Sequence, residues 1–126
     1  LIIDYALNKN DDYGSFQAVK NHKYINPLIA PGECDLSTKV DFTLIMNIAK
    51  KLNANVYGPI KQNIFLRNLG IDIRCKQLIK NNPDKKQIIL NDYYRLTSDD
   101  EMGDLFEVIL ITSEKSIQPA GFHDNQ

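Results

Sequence analysis

Leu1-Ile2-Ile3-Asp4-Tyr5 (LIIDY) is an unbroken apolar run that stops at an acidic residue. A short run without polar alternation fits a strand buried on both faces, as in parallel sheets, better than a half-exposed hairpin strand. Such a strand needs neighbours on both sides, and the chain opens on it without an initiating Met. The expectation is a piece of a larger α/β protein. A processed terminus, vector-derived residues or an alternative start codon would account for the same opening.

Working outward, 126 residues suffice for one domain with a real core. A hydrophobic content of 43% and a charged content of 25% are ordinary for a globular chain and argue against disorder. Fifteen basic and sixteen acidic residues are well mixed and leave a net charge of −1. That balance gives no electrostatic footprint for nucleic acid or for an anionic membrane. No apolar stretch approaches the length of a membrane span, and no basic-then-apolar leader is present. Cys34 and Cys75 lie far apart without CxxC spacing, so neither a zinc site nor a redox motif is expected. No metal ligand set is assigned.

After the opening strand, Asn8 to Gly14 is polar and reads as a loop. Ser15 to Lys20 alternates weakly, as a short strand would. From Asn21 to Val40, broken by Pro27, Pro31 and Gly32, no periodicity persists. A loop of about twenty residues is unusual in a compact domain and is often functional. Asp41 is placed to cap a helix running to about Asn53, with Phe42, Ile45, Ile48, Ala49 and Leu52 as its buried stripe. Asn55 to Gly58 reads as a strand, followed by helices from about Lys61 to Leu69, Ile71 to Lys80 and Lys85 to Leu96. Leu105 to Thr112 (LFEVILIT) is β-branched, nearly continuous and reads as a closing strand. Helices outnumber strands, which suits the second half of an open α/β sheet carrying a helical insertion.

Asp4 and Tyr5 would sit where a parallel strand ends, beyond which open α/β sheets bind ligands. A carboxylate there could accept hydrogen bonds from a ribose or a guanidinium, or could simply cap the next turn. His22, among basic residues, is a candidate general base or a solvated loop histidine. Asp35 and Asp41, with Glu33, form a carboxylate cluster whose spacing matches neither an EF-hand nor a zinc site, and which could equally fix a turn and cap a helix. Gly58 to Gln62 offers a turn and then a helix start, a possible polar-ligand site. No GxGxxG, P-loop, HExxH or GxSxG motif occurs, so the chain carries no complete catalytic constellation.

Two longer stretches are more specific. Ala30 to Phe42 (APGECDLSTKVDF) and Gly58 to Arg74 (GPIKQNIFLRNLGIDIR) closely resemble the MidA-like family of class I S-adenosyl-L-methionine (SAM)-dependent methyltransferases. LIIDY, QAVKNHK from Gln17, Asn26-Pro27-Leu28 and MGDLFEVIL from Met102 match as well, in the family's order. The family includes a mitochondrial assembly factor of respiratory complex I. The resemblance implies the C-terminal half of a Rossmann-like methyltransferase sheet, with a family-specific helical insertion over about residues 41–97. It implies methyl transfer from SAM to a protein arginine, with Asp4, Tyr5 and His22 as candidate catalytic residues. Asp35, Asp41 and Gln62 are the candidate substrate-binding residues. The glycine-rich SAM loop and the acidic ribose-binding residue would lie upstream, so this chain alone is expected to be inactive and to bind no SAM. Its implied partners are that N-terminal half and a respiratory complex I subunit. The implied location is the cytoplasm for a bacterial protein and the mitochondrial matrix for a eukaryotic one. Ala6 stands where the family has Gly after Asp-Tyr, which puts the local backbone shape in question. A non-catalytic assembly module and a truncated, decaying gene are the alternative readings.

Overall fold

The computed structural model describes residues 1–7, 15–29, 31–113 and 117–123; the loop expected over 8–14 lies outside them. The opening run is a strand, β1 (Ile2–Tyr5), but among the described residues it has no parallel strand partner. It pairs antiparallel with the closing strand, β6 (Phe106–Thr112), Ile2 opposite Ile109 and Tyr5 opposite Phe106. Nor is it buried on both faces: Ile3 is 42% exposed. An apolar run specifies burial but not strand direction, and β1 has a partner on one edge only among the described residues.

β6 also pairs antiparallel with β5 (Asn55–Lys61), giving the order β1-β6-β5, in which β1 and β5 run the same way without touching. Val108 and Ile109 of β6 are completely buried, on opposite faces as strand period demands. Each contributes about 1.5–3 kcal/mol by leaving water. The register between β5 and β6 shifts at Gly58-Pro59. There Gly58 adopts φ +87° and lies so close to the carbonyl oxygen of Val108 that an added Cβ would fall 2.5 Å from it. Only glycine meets both conditions.

Helix α1 (Phe42–Lys51) lies over one face of this sheet. Its start is as expected: Asp41 Oδ1 accepts the Leu44 N–H at 2.8 Å. Lys50 and Lys51 occupy the last turn, where the helix dipole favours cations. Phe42 forms a core with Ala6 and Ile109, against which Ile45, Met46, Val56 and Ile111 pack. The expected stripe is only partly covered, since Ile48 and Leu52 are exposed. Ala6, in contrast, is well tolerated. Its methyl belongs to the core, and its backbone is not among those with positive φ.

The segment from Asn21 to Val40 is not the structureless loop that its sequence suggests. β2 (Gln17–Lys20), β3 (Lys23–Ile25) and β4 (Asp35–Ser37) form a second antiparallel sheet in the order β3-β2-β4. Its strands of three and four residues are too short for alternation to register in sequence. This sheet is tied to the first by Val40, whose N–H donates to the Tyr5 carbonyl and whose carbonyl accepts the Leu7 N–H.

Between β5 and β6 the chain forms α2 (Gln62–Asn68), α3 (Ile71–Asn81), a 3-10 turn (Pro83–Lys85), α4 (Lys86–Thr97) and the four-residue α5 (Met102–Leu105). Lys61, expected to begin a helix, ends β5 instead. The tail is structural too. Phe122 stacks near Phe65 and Tyr57, and Asn68 Nδ2 donates to the carbonyls of Gly121 and His123. Tyr93 of α4 donates its phenol to Asp72 Oδ1 of α3 at 2.6 Å, which raises its pKa above the ordinary 10.0.

Two stability measurements follow. Asp41→Ala should destabilise the fold by about 1 kcal/mol in urea unfolding, while Asp41→Asn should cost far less because it keeps an acceptor at the cap. Tyr93 holds its proton more tightly folded than unfolded, so its contribution is complete below about pH 10 and fades as pH rises through its raised pKa. The stability gap between the wild type and Tyr93→Phe should therefore shrink in alkaline unfolding titrations; a gap that widens above pH 10 would contradict the assignment.

Candidate functional site

A cleft of about 270 Å³ opens where the end of β1 meets the second sheet. Tyr5 forms one wall, its ring resting on Phe106 at 4.2 Å between centroids. Gln17, Val19, Tyr24 and Ser37 form the other, all on one face of the β3-β2-β4 sheet by register. Ser15 and Thr38 join their hydroxyls at 2.7 Å, and the Ser15 hydroxyl also accepts the Lys39 N–H, which closes the rim. Among the described residues the lining is rich in hydroxyls, with one amide and Lys39, and holds no carboxylate.

Asp4 is not in this cleft. Consecutive strand residues point to opposite faces, so Asp4 and Tyr5, expected to face one crevice together, diverge. Asp4 Oδ1 accepts the Tyr5 N–H at 2.8 Å. Across the sheet Asp4 stands opposite Glu107, and Glu107 stands opposite Lys61, a row of three charged residues over three strands. Like charges directly opposite repel. Lys61 offsets this, with its Nζ 3.4 Å from Glu107 and 3.5 Å from Asp104 while donating to the Asp104 carbonyl. A pair of carboxylates at a strand end is the arrangement that can hold a guanidinium. Glu107 and Lys61 carry no motif, and only the strand register reveals them.

The remaining candidates lie elsewhere. His22 and Asn21, with φ of 60° and 51°, make the two-residue turn of the β2–β3 hairpin, so His22 sits at its tip. Asp35 lines a separate polar depression with Lys20, Glu33 and Cys34. Asp41 is occupied as the cap of α1. Gln62 is buried, its Nε2 donating to the Leu96 carbonyl at 3.0 Å, where it holds the end of α4. The structure thus disperses the six residues, and Tyr5 alone lines the cleft.

Among the described residues the cleft lining provides hydroxyls, one amide and Lys39, and none of these is assigned to the SAM that the resemblance implies. Among the described residues no cluster of His, Cys, Asp and Glu could hold a metal ion, and no helix is long and apolar enough to cross a membrane.

Comparison with known proteins supplies the context for this geometry. Residues 1–60 match the family model described as "Putative S-adenosyl-L-methionine-dependent methyltransferase". The human mitochondrial protein arginine methyltransferase NDUFAF7 is 35% identical over 129 residues, spanning 99% of this chain and 28% of the relative. The Drosophila melanogaster homologue is 35% identical over 111 residues, spanning 86% of this chain and 25% of the relative. This chain therefore spans about a quarter of the length of the curated relatives it matches. A COG1565 superfamily protein from Burkholderia thailandensis, crystallised with S-adenosyl-homocysteine, superposes with a TM-score of 0.78 at 24% identity. The superposition covers 97% of this chain and 32% of that one, and it establishes the shared fold. The chain belongs to the MidA-like family of class I SAM-dependent methyltransferases.

Proposed function

We propose that this chain forms the β1-β6-β5 end and the helical layer of a SAM-dependent protein arginine methyltransferase, and that a SAM-binding half completes it. The observation that carries this reading is the 35% identity to the human arginine methyltransferase over nearly the whole chain. Two features of the fold support it. The outer edge of β1 is unpaired among the described residues beyond the contact with Val40, so a further strand can add there. The row of Asp4 and Glu107 ends on the same strand pair, close to where such a partner would arrive.

In this reading Asp4 is the carboxylate set against the acceptor guanidinium, and Tyr5 bounds the neighbouring cleft. His22 and Asp35 approach on the second sheet, while Asp41 and Gln62 hold the helices that frame the acceptor. The chemistry would be alignment and charge placement more than covalent catalysis: SAM held by the completing half would supply an electrophilic methyl group, and Asp4 of this chain would hold and orient the guanidinium that receives it. The acceptor would be an arginine on a respiratory complex I subunit, in the mitochondrial matrix of a eukaryote or the cytoplasm of a bacterium. A non-catalytic assembly module is the second reading, favoured by the exposed apolar residues Ile73 and Ile88 on the helical layer.

Calorimetry of the purified chain with SAM should give no micromolar binding. A chimera in which this chain replaces the matching stretch of the human relative should bind SAM and methylate an arginine peptide. In that chimera Asp4→Asn should lower kcat by about a hundredfold. A folded chimera that binds SAM yet transfers no methyl group would favour the assembly module. Micromolar binding by the chain alone would overturn the division of labour.

A further inference from the structure

An apolar groove of about 230 Å³ runs between α3 and α4 of the helical layer, away from β1 and the Tyr5 cleft. Cys75 and Leu78 of α3 and Ile89 and Leu96 of α4 face into it. The positions recur at three- and four-residue spacings on both helices, so the groove follows a helix–helix seam. Its two rims are charged and opposite in sign: Arg74 on α3 and Asp92 on α4, both exposed. Neither has a hydrogen-bond or ion-pair partner through its side chain among the described residues. Ile88, one turn before Asp92, is 63% exposed and extends the apolar rim.

We propose that this groove is the contact of a two-fold dimer, in which the α3–α4 hairpins of two copies of this chain pack into four helices. A two-fold axis brings residue i of one copy to residue j of the other and j to i. One unpaired cation and one unpaired anion on opposite rims then meet in two equivalent Arg74–Asp92 pairs, and each groove covers the other. A partner of another kind would need its own complementary pair of charges at the same spacing; a second copy carries it by construction. Four antiparallel helices around an apolar seam form a stable bundle. The site is also separate from the chemistry. α3 and α4 pack on one another, on α2 and, through α4, on α5, whereas β1 pairs with β6. Dimerisation through the groove therefore leaves the edge of β1 and the Tyr5 cleft open.

Sedimentation velocity of the purified chain across the micromolar range tests this, with circular dichroism to verify that each variant keeps its helices. The wild type should sediment as a monomer–dimer equilibrium, and Ile88→Asp should be monomeric. Arg74→Glu and Asp92→Arg should each weaken the dimer by about tenfold, and the double variant Arg74→Glu/Asp92→Arg should regain most of the loss because the rims become complementary again. A wild type that stays monomeric throughout overturns the proposal. So does a dimer indifferent to both charge reversals, or one abolished by Ile3→Lys alone, which would put the contact on the β1 edge.

Discussion

The antiparallel ladders that Phe106–Thr112 makes with β1 on one side and β5 on the other hold together segments that otherwise do not meet. β1 and β5 share no hydrogen bond, and α1 meets the sheet on β5 and β6, whereas the helices between β5 and β6 pack on one another and on the tail. Ile109 faces the core beneath α1 while Val108 faces the opposite side, so the two apolar layers are anchored on adjacent residues of one strand. A one-residue slip of β6 would exchange those faces, placing Glu107 or Ile109 where Val108 now packs. The register is thereby fixed from both sides at once.

The same period of two shapes the chemistry. It sends Tyr5 toward a hydroxyl-lined cleft that includes Lys39 and Asp4 toward a row with Glu107 and Lys61. The two environments differ in what they can do. The row concentrates negative charge at a strand end, partly compensated by one lysine, and suits a cationic acceptor. The cleft offers hydroxyls, an amide and one lysine to a polar group. A substrate that used both would have to wrap around the end of β1.

The sequence foretold the elements whose signals are local. The Asp41 cap, the helices at Ile71 and Lys86 and the strand from Phe106 follow from capping chemistry, 3.6-residue periodicity and β-branching, each carried within a dozen residues. What it did not convey depends on pairing. Strand direction at β1 is invisible in an apolar run. The β3-β2-β4 sheet is built from strands too short to show alternation, and it passes for a loop because Pro27, Pro31 and Gly32 lie between them. The candidate site suffered for the same reason: Asp4 and Tyr5 are neighbours in sequence but opposite in space, whereas Asp4 and Glu107 are the reverse. Family likeness located the chain in its family without specifying these contacts.

The register that places Ile2 beside Ile109 also governs the order in which the molecule can assemble. Of the three strands β1, β5 and β6, the one that pairs with both others is made after them, so during synthesis β1 and β5 wait for it while the helical layer between them, rich in local contacts, can form first. The nascent chain thus carries a period of exposure that ends only when β6 arrives. Chaperone demand and susceptibility to aggregation should be concentrated in that interval rather than in the finished protein.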